Sequence, residues 1–97
     1  MDTRFKPRAR RSVSASLQGL ATGLAADVTP SGFSTELANP PAVGSQLHGN
    51  LTLDGLVFLF EAEVTWSQPG DPRLSPRGRL SARFTRISDE FFEAFRA

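Results

Sequence analysis

What most narrows the folds open to this chain is period-two alternation of apolar and polar residues, repeated in six short runs. Val13, Ala15 and Leu17 alternate with Ser12, Ser14 and Ser16. Leu20, Thr22, Leu24, Ala26 and Val28 form a second run, which puts Asp27 on the face opposite its apolar set. Phe33, Thr35 and Leu37 mark a third. In the fourth, Leu47, Gly49, Leu51 and Leu53 alternate with Gln46, His48, Asn50, Thr52 and Asp54. The fifth, Leu56 to Trp66, sets Leu56, Phe58, Phe60, Ala62, Val64 and Trp66 on one side. Val57 and Leu59 stand on its other side, which predicts cover on both faces over its first half. The sixth, Arg79 to Ile87, turns Leu80, Ala82 and Phe84 inward. A side-chain period of two belongs to a half-buried strand.

The runs are separated by turn chemistry. Gln18-Gly19 fits a two-residue hairpin, and Asp54-Gly55 is the strongest hairpin signal, because a type I′ turn favours that dipeptide. Between the second and third runs lies Asp27-Val28-Thr29-Pro30-Ser31-Gly32-Phe33, where Pro30 fixes φ and Gly32 admits positive φ, so a tight turn is expected. Asn39-Pro40-Pro41 ends the third run. Ser67 to Gly78 carries three prolines and two glycines and reads as a long exposed loop. After the sixth run, Ser88-Asp89-Glu90 supplies an N-cap and first-turn acids. Ile87, Phe91 and Phe95 then fall at four-residue spacing, so Phe91, Phe92 and Phe95 should face the core from a short helix. About two turns of helix cannot stand alone and must dock on the sheet.

The expected fold is therefore mainly β: a six-stranded antiparallel β-barrel, closed or nearly closed, with a short C-terminal α-helix as its lid. It is read as a single domain over 1–97, with a basic N-terminal arm at 1–11, the barrel at 12–87 and the helix at 88–97. Trp66 is assigned to the core. His48, the only histidine, is assigned to the solvent-facing side of its strand.

Composition excludes several classes of function. The chain of 97 residues has no cysteine, so thiolate chemistry and disulfides are absent, and a lone histidine makes a transition-metal site improbable. The longest apolar run, Leu56 to Phe60, falls far short of the ~20 residues of a spanning helix. The N-terminus runs into alternating Ser and Ala in place of an apolar signal region, and a cytoplasmic protein without membrane insertion is the expectation. Glu61 and Glu63 share a strand face, but nothing pairs them with a nucleophile or a base, so catalysis has no support. Charge is asymmetric: the first eleven residues hold five basic side chains against Asp2, a net +4, leaving −3 for the rest of a chain with formal total +1. A basic arm on a mildly acidic body points to an anionic partner or to a solvated tail.

Arg4 and Arg8 are four residues apart, roughly 13 Å in an extended stretch at about 3.3 Å per residue, and can grip two parts of one polyanion. Arginine also suits guanine, pairing with its O6/N7 edge and stacking on its face. Asp27 can accept from the opposite, N–H-bearing edge, Thr29 offers a hydroxyl, and Gly32 leaves the backbone open to a flat group. The arm and the central turn together describe a site for a guanine-bearing phosphate.

On these residues the chain resembles the PilZ domain family, bacterial receptors for cyclic di-GMP. Arg4-Phe5-Lys6-Pro7-Arg8 is similar to the family's Arg-x-x-x-Arg. Asp27-Val28-Thr29-Pro30-Ser31-Gly32 is similar to its Asp/Asn-x-Ser-x-x-Gly, with Thr29 in place of Ser. Val64-Thr65-Trp66 looks like the family's Val-x-Trp, and Leu80 to Phe84 with the following helix resembles its closing strand and lid. The resemblance spans nearly the whole chain. Ser81 stands where that strand often has Gly, and Arg4 lacks the second Arg that often precedes it.

The resemblance implies a barrel of split-barrel type whose arm wraps over one face around the nucleotide. Arg4, Arg8, Asp27, Thr29 and Gly32 would bind cyclic di-GMP, with Arg10, Arg11 and Ser31 as further candidates. Ordering of the arm would create a surface for a downstream protein partner. No enzyme activity, cofactor or metal is implied. A nucleotide-independent adaptor of the same fold, acting on motility, pilus or secretion components, is the alternative. A barrel that binds RNA or single-stranded DNA is disfavoured, because the strand faces lack aromatics interleaved with Lys and Arg.

Overall fold

The computed structural model describes residues 11–71, 73 and 77–96. Six strands and one helix follow in order: β1 (Arg11–Leu17), β2 (Ala21–Thr29), β3 (Gly32–Leu37), β4 (Gln46–Leu53), β5 (Leu56–Gln68), β6 (Gly78–Ile87) and α1 (Asp89–Arg96). Two three-stranded meanders, β1-β2-β3 and β4-β5-β6, are sewn together along both edges, β3 to β6 and β1 to β4, in a closed antiparallel barrel. Closure pairs every strand on both sides and removes exposed sheet edges.

The inner faces are those the alternation marks. Val13, Ala15 and Leu17 from β1 meet Ala26 and Val28, Phe33 and Leu37, Leu47 and Leu51, Phe58 to Val64 on alternate positions, and Leu80 and Ala82. Thr35 is a buried polar residue in this interior, and its hydroxyl donates to the Ala25 carbonyl at 2.8 Å. Helix α1 buries Phe91 and Phe95 completely or nearly so, with Phe92 packed partly against the same cluster. The Phe91 ring lies 5.7 Å from Phe58 and 5.4 Å from Phe84, both edge-on. Asp54 and Gly55 both take positive φ, 52° and 81°, between the paired Leu53 and Leu56, as a type I′ hairpin requires.

Three β-bulges move residues off the faces that strict alternation assigns them. Thr22 and Gly23 both stand opposite Ser16, with Gly23 at φ 67°. That insertion starts β2 at Ala21 and leaves Leu20, expected on the inner face, exposed in a three-residue turn, Gln18 to Leu20. Thr65 is the extra residue in β5 between the pairs Val64–Ala82 and Trp66–Ser81, and its hydroxyl donates to the Ser81 carbonyl at 3.2 Å. The parity reversal turns Trp66 outward at 46% exposure, correcting its assignment to the core. A third bulge puts Thr85 of β6 between Glu61–Arg86 and Ala62–Phe84.

The first half of β5 departs from expectation too. Leu56 sits at the lip of its turn and is exposed; Val57 and Leu59 point outward, with Leu59 at 75% exposure and no described element covering them. Segment boundaries shift slightly: Arg11 belongs to β1, Ser67 and Gln68 to β5, and Gly78 to β6. His48 is exposed, as expected.

Candidate functional site

The β2–β3 turn is a two-residue loop, Pro30-Ser31, closed by the pair Thr29–Gly32. The Thr29 hydroxyl organises it: its Oγ1 accepts from the Ser31 amide at 3.3 Å and lies 3.1 Å from Ser31 Oγ. The same turn is tied to β6, where the Phe84 amide donates to the Ser31 carbonyl at 2.9 Å.

Gly32 is needed for a different reason from the one its turn context implies. It lies in β3 without the positive φ that only glycine adopts freely. A Cβ at this position would instead run into the carbonyl oxygen of Ala82, with Arg83 Cα 3.1 Å away. The absent side chain lets β3 and β6 approach, and Gly32 is buried at that point of contact.

Around that spot the register aligns two cross-strand rows. One runs Ser12, Asp27, Ser34, Ser81, Trp66, and the other Thr29, Gly32, Arg83, Glu63. Between them lies a shallow cleft of about 430 Å³, whose polar lining includes Asp27, Thr29, Ser31, Ser34, Ser81 and Arg83. Ser12 Oγ donates to Asp27 Oδ1 at 3.2 Å, leaving the other carboxylate oxygen with no protein donor among the described residues. The guanidinium of Arg83 is 58% exposed and pairs with Glu63 at 2.7 Å.

Asp27, Thr29, Ser31 and Gly32 are thus brought together. Arg11 is not: its Nη2 donates to both oxygens of Asp54, at 2.8 and 2.9 Å, on the β4–β5 turn. Arg4, Arg8 and Arg10 lie outside the described residues. The point where they join the barrel is nevertheless defined, because Arg11 pairs with Val28, one residue from Thr29. β1 therefore begins at the same end of the barrel as the turn.

Sequence reading did not assign Ser34, Ser81 or Arg83 to the site. The inward set Leu80, Ala82 and Phe84 does imply that Ser81 and Arg83 face outward. Their alignment with Ser34 and Gly32 depends on β3 lying beside β6, which no local pattern specifies.

A larger concavity, about 1050 Å³, lies elsewhere, between the β1–β2 turn, β4, β5 and the β6–α1 junction. Leu20, Leu59 and Ile87 contribute apolar walls, and its charged residues Glu61 and Arg86 face each other at 4.0 Å. Ser16, His48, Asn50 and Ser88 line it as well, but it includes none of Asp27, Thr29, Ser31 or Gly32.

Comparison of the chain with protein-family models, with curated proteins and with solved structures gives no match. Among the described residues, no helix is long and apolar enough to cross a membrane.

Proposed function

We propose that this protein is a PilZ-like receptor domain for cyclic di-GMP, which it holds between its basic arm and the outer face of β2 and β3. The observation that carries this reading is the convergence of Asp27, Thr29 and Ser31 around the bare backbone of Gly32, at the barrel end where β1 begins. Asp27 is an acceptor for the N–H edge of guanine, and the hydroxyls serve its remaining polar atoms. Arg8 and Arg4 precede Arg11 by three and seven residues, at most about 10 and 23 Å of extended chain. Both guanidiniums are therefore within reach of a nucleotide in the cleft, where they supply charge for the phosphates and flat faces for the bases. Closing the arm on the ligand presents a new surface to a downstream protein, and this is how the signal leaves the domain.

A second reading is an adaptor of the same barrel that works through protein contacts alone. It is favoured by one observation, the outward-facing Leu56, Val57 and Leu59 on β5. Substituting Arg8 abolishes function under the first reading and leaves it intact under the second.

Calorimetric titration with cyclic di-GMP separates them. Saturable binding by the wild-type protein, lost in Arg8→Ala and Asp27→Ala and absent with GTP, is the expected result. A folded protein that gives no heat at high ligand concentration rules the receptor reading out.

A further inference from the structure

The cleft contains one cation that the motif-based site does not include. Along one row of the outer face, Thr29 stands across from Gly32, Gly32 across from Arg83, and Arg83 across from Glu63. The chemical order is hydroxyl, bare backbone, guanidinium, carboxylate. We propose that Arg83 is a ligand-contacting residue for a phosphodiester group seated over Gly32, and that Glu63 holds it aside while the cleft is empty.

Three observations support this. Gly32 carries no side chain between Arg83 and the Thr29–Ser31 hydroxyl pair, and the cleft lined by Ser31, Gly32 and Arg83 opens on that flank of the Arg83 side chain. Thr29 and Arg83 are two strand spacings apart, about 10 Å, a gap that a phosphate and a guanidinium fill together. The restraint is also weak: the Arg83–Glu63 pair is exposed on both sides, 58% and 34%, and exposed pairs contribute little to stability. A phosphodiester offers the guanidinium two oxygens in a matching fork, a stronger charge-assisted contact than a screened surface carboxylate. Exchange of Glu63 for the ligand is therefore favourable. Glu63 gives selectivity as well, since a neutral or cationic group over Gly32 has no means to draw Arg83 away.

This inference rests on the cleft being the nucleotide site, and one set of titrations distinguishes failure of each. Cyclic di-GMP is titrated into the full chain as wild type, Arg83→Gln, Glu63→Gln, Arg79→Gln and Asp27→Ala. Arg79 is the control for charge: it sits on the same face of β6, paired with Glu36 at 3.0 Å and away from the cleft lining. Arg83→Gln is expected to weaken binding roughly ten- to a hundredfold, the worth of one charged hydrogen-bonding contact. Glu63→Gln should tighten it by about two- to fivefold, because the competing pair is gone. Arg79→Gln should leave affinity unchanged. Binding by Arg83→Gln equal to wild type, with Asp27→Ala defective, overturns the role of Arg83 alone. Equal losses in Arg79→Gln and Arg83→Gln reduce the effect to overall charge and overturn it too. Weaker binding by Glu63→Gln overturns the restraint. A wild type that takes up no ligand removes the site reading and this proposal with it. Thermal melts of the variants, expected to match wild type, guard against loss of fold.

Discussion

Gly32 shows how one residue can be legible in kind and misread in cause. The sequence places a Pro and a Gly around a hairpin, and the usual inference is that glycine serves a positive φ. Its backbone is instead that of an ordinary strand residue, and the constraint comes from Ala82, fifty positions downstream. Local spacing carries no information about that approach. A methyl group here must push apart two backbones in a closed barrel, and neither strand has a free edge to move toward. Gly32→Ala is therefore expected to cost about 1–3 kcal/mol, the range for overpacking a tight site. Urea unfolding would measure it, and a loss within 0.5 kcal/mol of zero, the spread of an ordinary surface change, would refute the steric argument. The same reasoning makes Gly32→Ala a poor probe of ligand binding, since a defect there mixes lost contact with lost fold. Asp27 and Thr29 are sounder probes. Asp27 extends from an outer face, and its side chain's one hydrogen bond among the described residues, from Ser12, is long.

At the scale of the element, β5 separates what alternation can reveal from what it cannot. Phe58, Phe60, Ala62 and Val64 are buried as their parity requires. Beyond Val64 parity fails, because Thr65 is inserted as a bulge and every later side chain changes face. Nothing in Val-Thr-Trp-Ser announces an extra residue. The bulge is apparent only from the pairing with β6, where Thr65 bonds the Ser81 carbonyl. The apolar start of the strand misleads for a related reason: a run of apolar residues predicts cover on both faces, yet Val57 and Leu59 are open. Trp66 offers a direct check, being the only tryptophan. Its fluorescence should have the red-shifted emission of a hydrated indole and be readily quenched by acrylamide. Trp66→Ser should change stability by no more than about 0.5 kcal/mol, as for other surface positions. A blue-shifted, quencher-resistant spectrum would mean that the bulge is misplaced and the indole buried.

Across the whole molecule, the barrel interior and the helix form one aromatic body. Phe33 lies 5.3 Å from Phe60 and 5.9 Å from Phe84; Phe84 lies 5.5 Å from Phe60 and 5.4 Å from Phe91. The spacing of Phe91 and Phe95 reveals that a helix must dock, since eight residues cannot hold a helix unaided. It does not reveal where, because the ring that receives Phe91 depends on β6 closing the barrel between β3 and β5. Phe84 is the meeting point. Its ring touches both Phe33 and Phe91, and its amide bonds the Ser31 carbonyl in the candidate turn. The turn and the helix thus both rest on the same residue. Phe91 is fully buried, and Phe91→Ala leaves a ring-sized void against Phe58 and Phe84. The expected cost is about 3–5 kcal/mol, a large share of the roughly 5–15 kcal/mol that holds a domain folded. Denaturant unfolding followed by circular dichroism would measure it, with Phe91→Leu as a milder variant that keeps most of the packing. A cost below about 1 kcal/mol for Phe91→Ala, well under the range for a large core truncation, would show that α1 is an appendage, and the barrel would then stand without it. A full cost would make the helix part of the fold that positions the turn, so that loosening it from the C-terminal side also loosens the backbone on which Asp27 and Thr29 are displayed.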